Sequence, residues 1–230
     1  MKYCFSFIFF IFCITTSQSQ VDDYINKYSK DCENTKSFFA EHKNEFDNAA
    51  STCGLSAEFL FAIVSPEISQ FSYLQDRAET YALKVFYVQN GKDYSDFSIG
   101  LFQMKPSFIE SLENYISANT ELKSKFQKFL FTKPDEKQAR VERIERLSSL
   151  QWQIEYLALF CVVVNHKFRN AVFVTDKQKL CFYANAYNSG FHRTEEALKS
   201  VKGAYFPRFS KTKYRYMDIS VWFYNEVLKK

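Results

Sequence analysis

Apolar residues recur at helical spacing in segment after segment of this chain. Alternating strand-like runs are scarce, and Gly and Pro number only 5 and 4, so the pattern predicts a mainly α protein. The clearest helix opens at Ser56, whose hydroxyl can cap the first turn, with Leu55 placed to staple against Leu60 and Glu58 favourable at the positive helix end. It turns Phe59, Ala62 and Ile63 inward, and Pro66 is expected to kink or end it, leaving Glu67 at a helix end rather than on a solvated face. A second helix begins with Pro106 at its first position and shows Phe108, Ile109, Leu112, Tyr115 and Ile116 on one side. The run from about Leu150 to Phe168 is apolar nearly all round and is expected to be central and buried. Further helices are expected from about Lys177 to Ser189, stopped by Gly190 in a left-handed cap, and from about Tyr214 to Leu228. Between them, residues 133–146 alternate in charge and read as a solvated insertion, an exposed helix or hairpin.

The first residues break this pattern. A single lysine precedes the apolar run from Cys4 to Ile14, which is followed by the small polar stretch Thr15 to Gln20. A core of about a dozen apolar residues is too short for a membrane span and has the order of a secretory leader, with cleavage expected between Ser17 and Gln20. Cys13 follows Phe12 rather than a small residue, which argues against lipid anchoring. The expected organisation is a signal peptide over 1–19, a helical N-terminal extension over 20–50, and one domain over 51–230 with insertions near 72–95 and 120–148. An exported protein with no stable membrane insertion after leader removal follows, in the periplasm or outside the cell.

With 47% hydrophobic and 19% aromatic residues, the chain has ample material for a core, which excludes the disordered class. The net charge of +4 is spread among acidic residues with no basic stripe interleaved with aromatics, so nucleic acid is not an expected partner. After leader removal the cysteines are Cys32, Cys53, Cys161 and Cys181. A Cys32–Cys53 disulfide is the more plausible bridge, whereas Cys161 and Cys181 lie in apolar helical runs where cysteine serves as a small hydrophobe. His42, His166 and His192 show no ligand spacing with these cysteines, and neither a metal nor an organic cofactor is expected.

Three stretches carry candidate chemistry: Ala62-Ile63-Val64-Ser65-Pro66-Glu67-Ile68-Ser69-Gln70-Phe71, then Ser98-Ile99-Gly100-Leu101-Phe102-Gln103-Met104-Lys105-Pro106, then Tyr183-Ala184-Asn185-Ala186-Tyr187-Asn188-Ser189-Gly190. In content and order they resemble the lytic transglycosylases of the lysozyme-like superfamily, namely a helix ending in a catalytic glutamate, a serine-glycine-leucine-glutamine loop before a proline, and an alanine-tyrosine-asparagine-glycine signature. The resemblance covers about Ser51 to Ser189. It implies a lysozyme-like fold of the goose-type lysozyme and soluble lytic transglycosylase kind with helical insertions, and cleavage of the MurNAc-GlcNAc bond of peptidoglycan without metal or cofactor.

The residue types suit that chemistry on their own. Protonating a leaving glycosidic oxygen near neutral pH requires a carboxylic acid whose pKa burial has raised, and Glu67, behind an apolar helix and a proline, is the candidate. A hydrolase of the usual kind adds a second carboxylate, for which Asp76, Glu79, Asp93 and Asp96 are candidates. The resemblance instead implies a single glutamate acting as acid and then base while the C6 hydroxyl of the sugar attacks, giving a 1,6-anhydro product. It also implies substrate contacts from Gln103, Tyr187, Asn188, Ser69 and Ser98. This chain departs from the pattern in carrying Ile68 directly after the glutamate, with the serine displaced to Ser69, and in the thirty-six positions between Glu67 and Gln103. The 74–90 stretch within that interval reads as a helical lid or selectivity element. Two alternatives stand beside this reading: a hydrolytic lysozyme, and an inactive glycan-binding scaffold of an envelope-spanning secretion or conjugation machine.

Overall fold

A computed structural model describes residues 18–71, 85–131, 135–200, 205–207 and 212–229. The expected leader as far as residue 17, positions 74–84 of the expected lid with Asp76 and Glu79, and the start of the charged segment fall outside them. The protein is mainly helical. Its described helices are α1 (18–27), α2 (Ser29–Glu41), α3 (Lys43–Cys53), α4 (Ala57–Ser69), α5 (85–90), α6 (Pro106–Ser117), α7 (Thr120–Lys125), α8 (Glu136–Leu147), α9 (Leu150–Lys167), α10 (Asp176–Ser189), α11 (Glu195–Lys199) and α12 (Tyr216–Leu228). None of them is long and apolar enough to cross a membrane alone. The single described sheet is the antiparallel pair β1 (Tyr205–Phe206) and β2 (Tyr214–Arg215), with Tyr205 opposite Arg215. The helical periodicity does not announce these strands, because two residues are too few for alternation to register.

The described residues group into two compact units. One comprises residues up to Glu41, Phe61–Ser69 and 173 onward, and the other comprises His42–Leu60 and Gln70–Val172. In the first, α10 packs on α12, and a run of aromatics fills the core. Phe39 stacks on Phe61 at 4.5 Å, Phe61 meets the edge of Phe223 at 5.9 Å, and Tyr24 meets Tyr214 edge-on at 5.0 Å. The N-terminal helices are fastened polarly as well, because the Tyr214 hydroxyl donates to Asp23 at 2.7 Å and Lys36 reaches Glu226 at 3.6 Å.

In the second unit α9 is the axis against which α3, α6 and α8 pack, as its continuous apolar circumference predicts. Its buried residues include Ile154, Leu157, Phe160 and Val164, and its predicted bounds hold to within a residue. Pro106 occupies the first turn of α6, Thr175 caps α10 by accepting from the Gln178 amide, and Ser56 accepts from the Phe59 amide at 3.1 Å.

Three expectations are overturned. The charged segment is a helix, exposed over 135–138 as expected, but it is not solvated along its length. Within α8, Arg143 and Arg146 are buried, and Arg143 grips buried Glu113 of α6 with its Nε and Nη2 at 3.1 and 2.6 Å while its Nη1 donates to the Tyr87 hydroxyl. Arg146 lies over the Trp152 and Phe131 rings at 4.2 and 4.4 Å. Alternating charge hid this because residues three and four apart share one helix face, and on that face Arg143 is long enough to reach α6. The Cys32–Cys53 bridge is not made. Cys32, Cys53, Cys161 and Cys181 are all thiols, Cys53 directing its sulfur at the Ala50 carbonyl of its own helix, and burial pushes Cys32 and Cys181 up to about 11. Gly190 has a positive φ of 99° but a ψ of 125°, so α10 ends in an extended glycine conformation rather than a left-handed cap; a side chain there would meet the His192 ring.

Candidate functional site

Helix α4 does not end at Pro66 but continues to Ser69, so Glu67 sits inside its last turn. A proline in a helix removes one N–H and pushes away the carbonyl four residues earlier. Hydroxyls answer this locally. Ser65 donates to the Ala62 carbonyl at 3.0 Å, the Tyr216 hydroxyl donates to the Ile63 carbonyl at 2.9 Å, and Ser69 donates to the Pro66 carbonyl at 2.8 Å. The Ser69 hydroxyl in turn bonds that of Tyr24 at 2.5 Å. Ser65, Ser69, Tyr24 and Tyr216 are all buried. The turn that carries Glu67 is thus held by hydrogen bonds from α1, α12 and its own helix, despite the broken ladder.

Glu67 itself is partly exposed, but the protein packed around its carboxyl raises its pKa from the usual 4.5 to about 8, and desolvation by burial is the cause. Among the described residues no cation forms an ion pair with it. The result is an acid that keeps its proton at neutral pH and still reaches solvent. The neighbouring Tyr216 hydroxyl is held far from ionisation by burial first, then by the fields of Glu67, Tyr187 and Tyr24. It therefore remains a hydrogen-bond donor across the working pH range. Tyr187 and Asn188 lie on the last turn of α10 and are both partly exposed. Asn188 precedes the cap at Gly190 by two residues and is part of the helix. The third residue of the same stretch, Asn185, points inward instead. Its amide donates to the Leu198 carbonyl at 3.0 Å and contacts the Met217 sulfur at 3.5 Å, tying α11 and α12 to α10.

The Ser98–Pro106 stretch forms a tight loop in the second unit. Ile99 and Met104 pair as an antiparallel bridge, and Gly100 to Gln103 form the turn, closed by the Gln103 amide donating to the Gly100 carbonyl at 2.9 Å. Gln103 has φ of +50°, the one positive-φ residue among the described residues that is not glycine, a conformation that costs about 1 to 2 kcal/mol for a side-chain-bearing residue. Its side-chain N–H also donates to the Gly100 carbonyl at 2.9 Å, so the amide oxygen is not used in that bond, and the residue is partly exposed. Ser98 is partly exposed. Of the carboxylates considered as partners, Asp93 is exposed, and Asp96 is engaged at the start of α6, accepting from the Ser107 amide at 3.0 Å and its hydroxyl at 2.7 Å.

Sequence reasoning missed Tyr24, Tyr216 and Gln153. Tyr24 lies in a segment without a recognisable motif, and Tyr216 reads as one more aromatic of an apolar helix. Gln153 did carry a signal, a polar residue on a helix otherwise apolar all round. No family model, curated protein or solved structure matches this chain.

Proposed function

We propose that the chain is an exported lysozyme-like enzyme, a peptidoglycan lytic transglycosylase that cuts the MurNAc-GlcNAc β-1,4 bond with Glu67 as its single catalytic acid and base. The observation that carries this reading is the protonated, partly exposed Glu67 in a turn fastened by Ser69, Tyr24 and Tyr216. Three ordered sequence stretches with the family's residue types support it.

In this reading Glu67 donates its proton to the glycosidic oxygen as the C1–O bond breaks, releasing the GlcNAc 4-hydroxyl. The resulting carboxylate then takes the proton of the MurNAc C6 hydroxyl, whose oxygen bonds to C1 to give the 1,6-anhydro sugar, and the acid is regenerated. A pKa of about 8 leaves Glu67 mostly protonated at neutral pH, as the first step requires. Tyr187 and Asn188 are assigned to substrate contact or to orientation of the acid, whereas Ser69, buried and bonded to Tyr24 and to the Pro66 carbonyl, holds the turn of the acid and is not a substrate contact as the resemblance implied. The Gln103 amide oxygen and Ser98 are assigned to sugar hydroxyl or N-acetyl groups. Glycan strands are the partner, with secretion or conjugation machinery a candidate for recruiting the enzyme to the wall.

The test is mass spectrometry of soluble products from purified peptidoglycan treated with the leaderless protein and with Glu67→Gln. Anhydro-muropeptides that vanish in the variant are the expected result. Products heavier by one water would assign the chain to the hydrolytic lysozymes, and no products from the folded protein on several wall types would overturn the enzymatic reading.

A further inference from the structure

Gly100 and Gln103 adopt backbone conformations that side chains disfavour, so something must hold the loop against relaxation. The holder is a buried side chain from α9. The Gln153 amide oxygen accepts from the Phe102 N–H at 2.7 Å, while its N–H group donates to the Leu147 carbonyl at 2.9 Å. The same side chain fills the space against Gly100. A Cβ at that position would fall 2.0 Å from Gln153 Nε2 and 2.8 Å from the Leu147 carbonyl, so only glycine fits there, at its φ of +70°. Gln153 is therefore a two-ended clamp, fixing the turn that carries Gln103 to the turn between α8 and α9. The clamp needs both a donor and an acceptor, a requirement that glutamine meets and a hydrophobe of equal size does not.

We propose that Gln153 is a positioning residue that holds the 99–104 loop in the form in which the Gln103 amide oxygen binds an N-acetylated glycan. This rests on the glycan-cleaving reading above and assigns to that reading a determinant of sugar affinity that does not touch the sugar. Loss of the clamp frees the Phe102 N–H and lets Gln103 return to negative φ, which turns its side chain away.

The test is binding of the N-acetylglucosamine tetramer, followed by NMR, to the full leaderless protein and to Gln153→Met, Gln153→Glu and Glu67→Gln, with peptidoglycan cleavage measured in parallel. Gln153→Met should weaken binding about tenfold or more, with a shifted Phe102 amide signal, while Glu67→Gln serves as the control that abolishes cleavage. Gln153→Glu can mimic glutamine only when protonated, so its affinity should approach wild type at low pH and fall as the carboxyl ionises. A side chain that merely fills space would show no such dependence, and this variant decides the matter if Gln153→Met does not fold. Unchanged binding by folded Gln153→Met, pH-independent binding by Gln153→Glu, or a wild type that cuts peptidoglycan yet does not bind the tetramer would each overturn the proposal. Clamp-dependent binding without cleavage would uphold it and overturn the catalytic reading instead.

Discussion

Two carboxyl groups that the surrounding protein desolvates meet opposite partners. Glu113 is buried, and Arg143 answers it with a bidentate pair, itself backed by Tyr87, whose hydroxyl donates to Glu110 at 2.7 Å. Burial pushes the Glu113 carboxyl up and the guanidinium pulls it back. Glu67 experiences the same push, and among the described residues no cation forms an ion pair with it. A compensated buried charge binds elements together, in this case α6 to α8, whereas an uncompensated one stores a proton. Burial alone does not separate the two roles; the partner does.

The largest expected effect breaks the comparison at its functional end. Glu67→Gln should lower peptidoglycan cleavage by between about a hundredfold and ten-thousandfold with the fold intact, measured as release of soluble muropeptides. At the structural end, Arg143→Ala leaves Glu113 buried without its partner and should cost about 3 to 5 kcal/mol of unfolding free energy. A double replacement, Arg143→Met with Glu113→Leu, should recover most of it, as denaturant titration would reveal.

Next in size is the stability that Glu67 itself gives up. Above pH 4.5 the unfolded chain ionises this group while the folded chain keeps its proton until about 8, so stability falls as pH rises through that window. Glu67→Gln removes the penalty and should be more stable than wild type by roughly 2 to 3 kcal/mol at pH 7. The difference should vanish near pH 4, and an unchanged difference across that range would remove the contrast with Glu113. The smallest effect is Tyr216→Phe, which removes the hydroxyl that donates to the Ile63 carbonyl beside Pro66 and should cost about 1 kcal/mol by thermal melting.

Much of the scaffold under this contrast was legible in the sequence. Ser56, Pro106 and the apolar circumference of α9 are local signals, and each predicted its element because the physics of caps and helix faces acts within a turn or two. Glu67 was legible as a candidate acid for the same reason. The buried ion pair was not, since Arg143 and Glu113 lie thirty positions apart and alternating charge looks alike whether a helix faces water or another helix. The hydrogen bond from Tyr216 to the Ile63 carbonyl beside Pro66 was also hidden, because its donor lies 153 positions away. The thiol state of Cys32 and Cys53 depends likewise on tertiary placement. The strained φ of Gln103 has no local signature beyond the glycine three residues before it.

The most direct test of the account is a pH titration of the Glu67 side-chain carboxyl by carbon NMR, its signal assigned by its absence from Glu67→Gln. The account predicts a midpoint near 8, coincident with the pH at which cleavage is lost. A midpoint in the ordinary carboxylate range near 4.5 would mean that Glu67 is ionised at neutral pH, and would contradict its role as the acid.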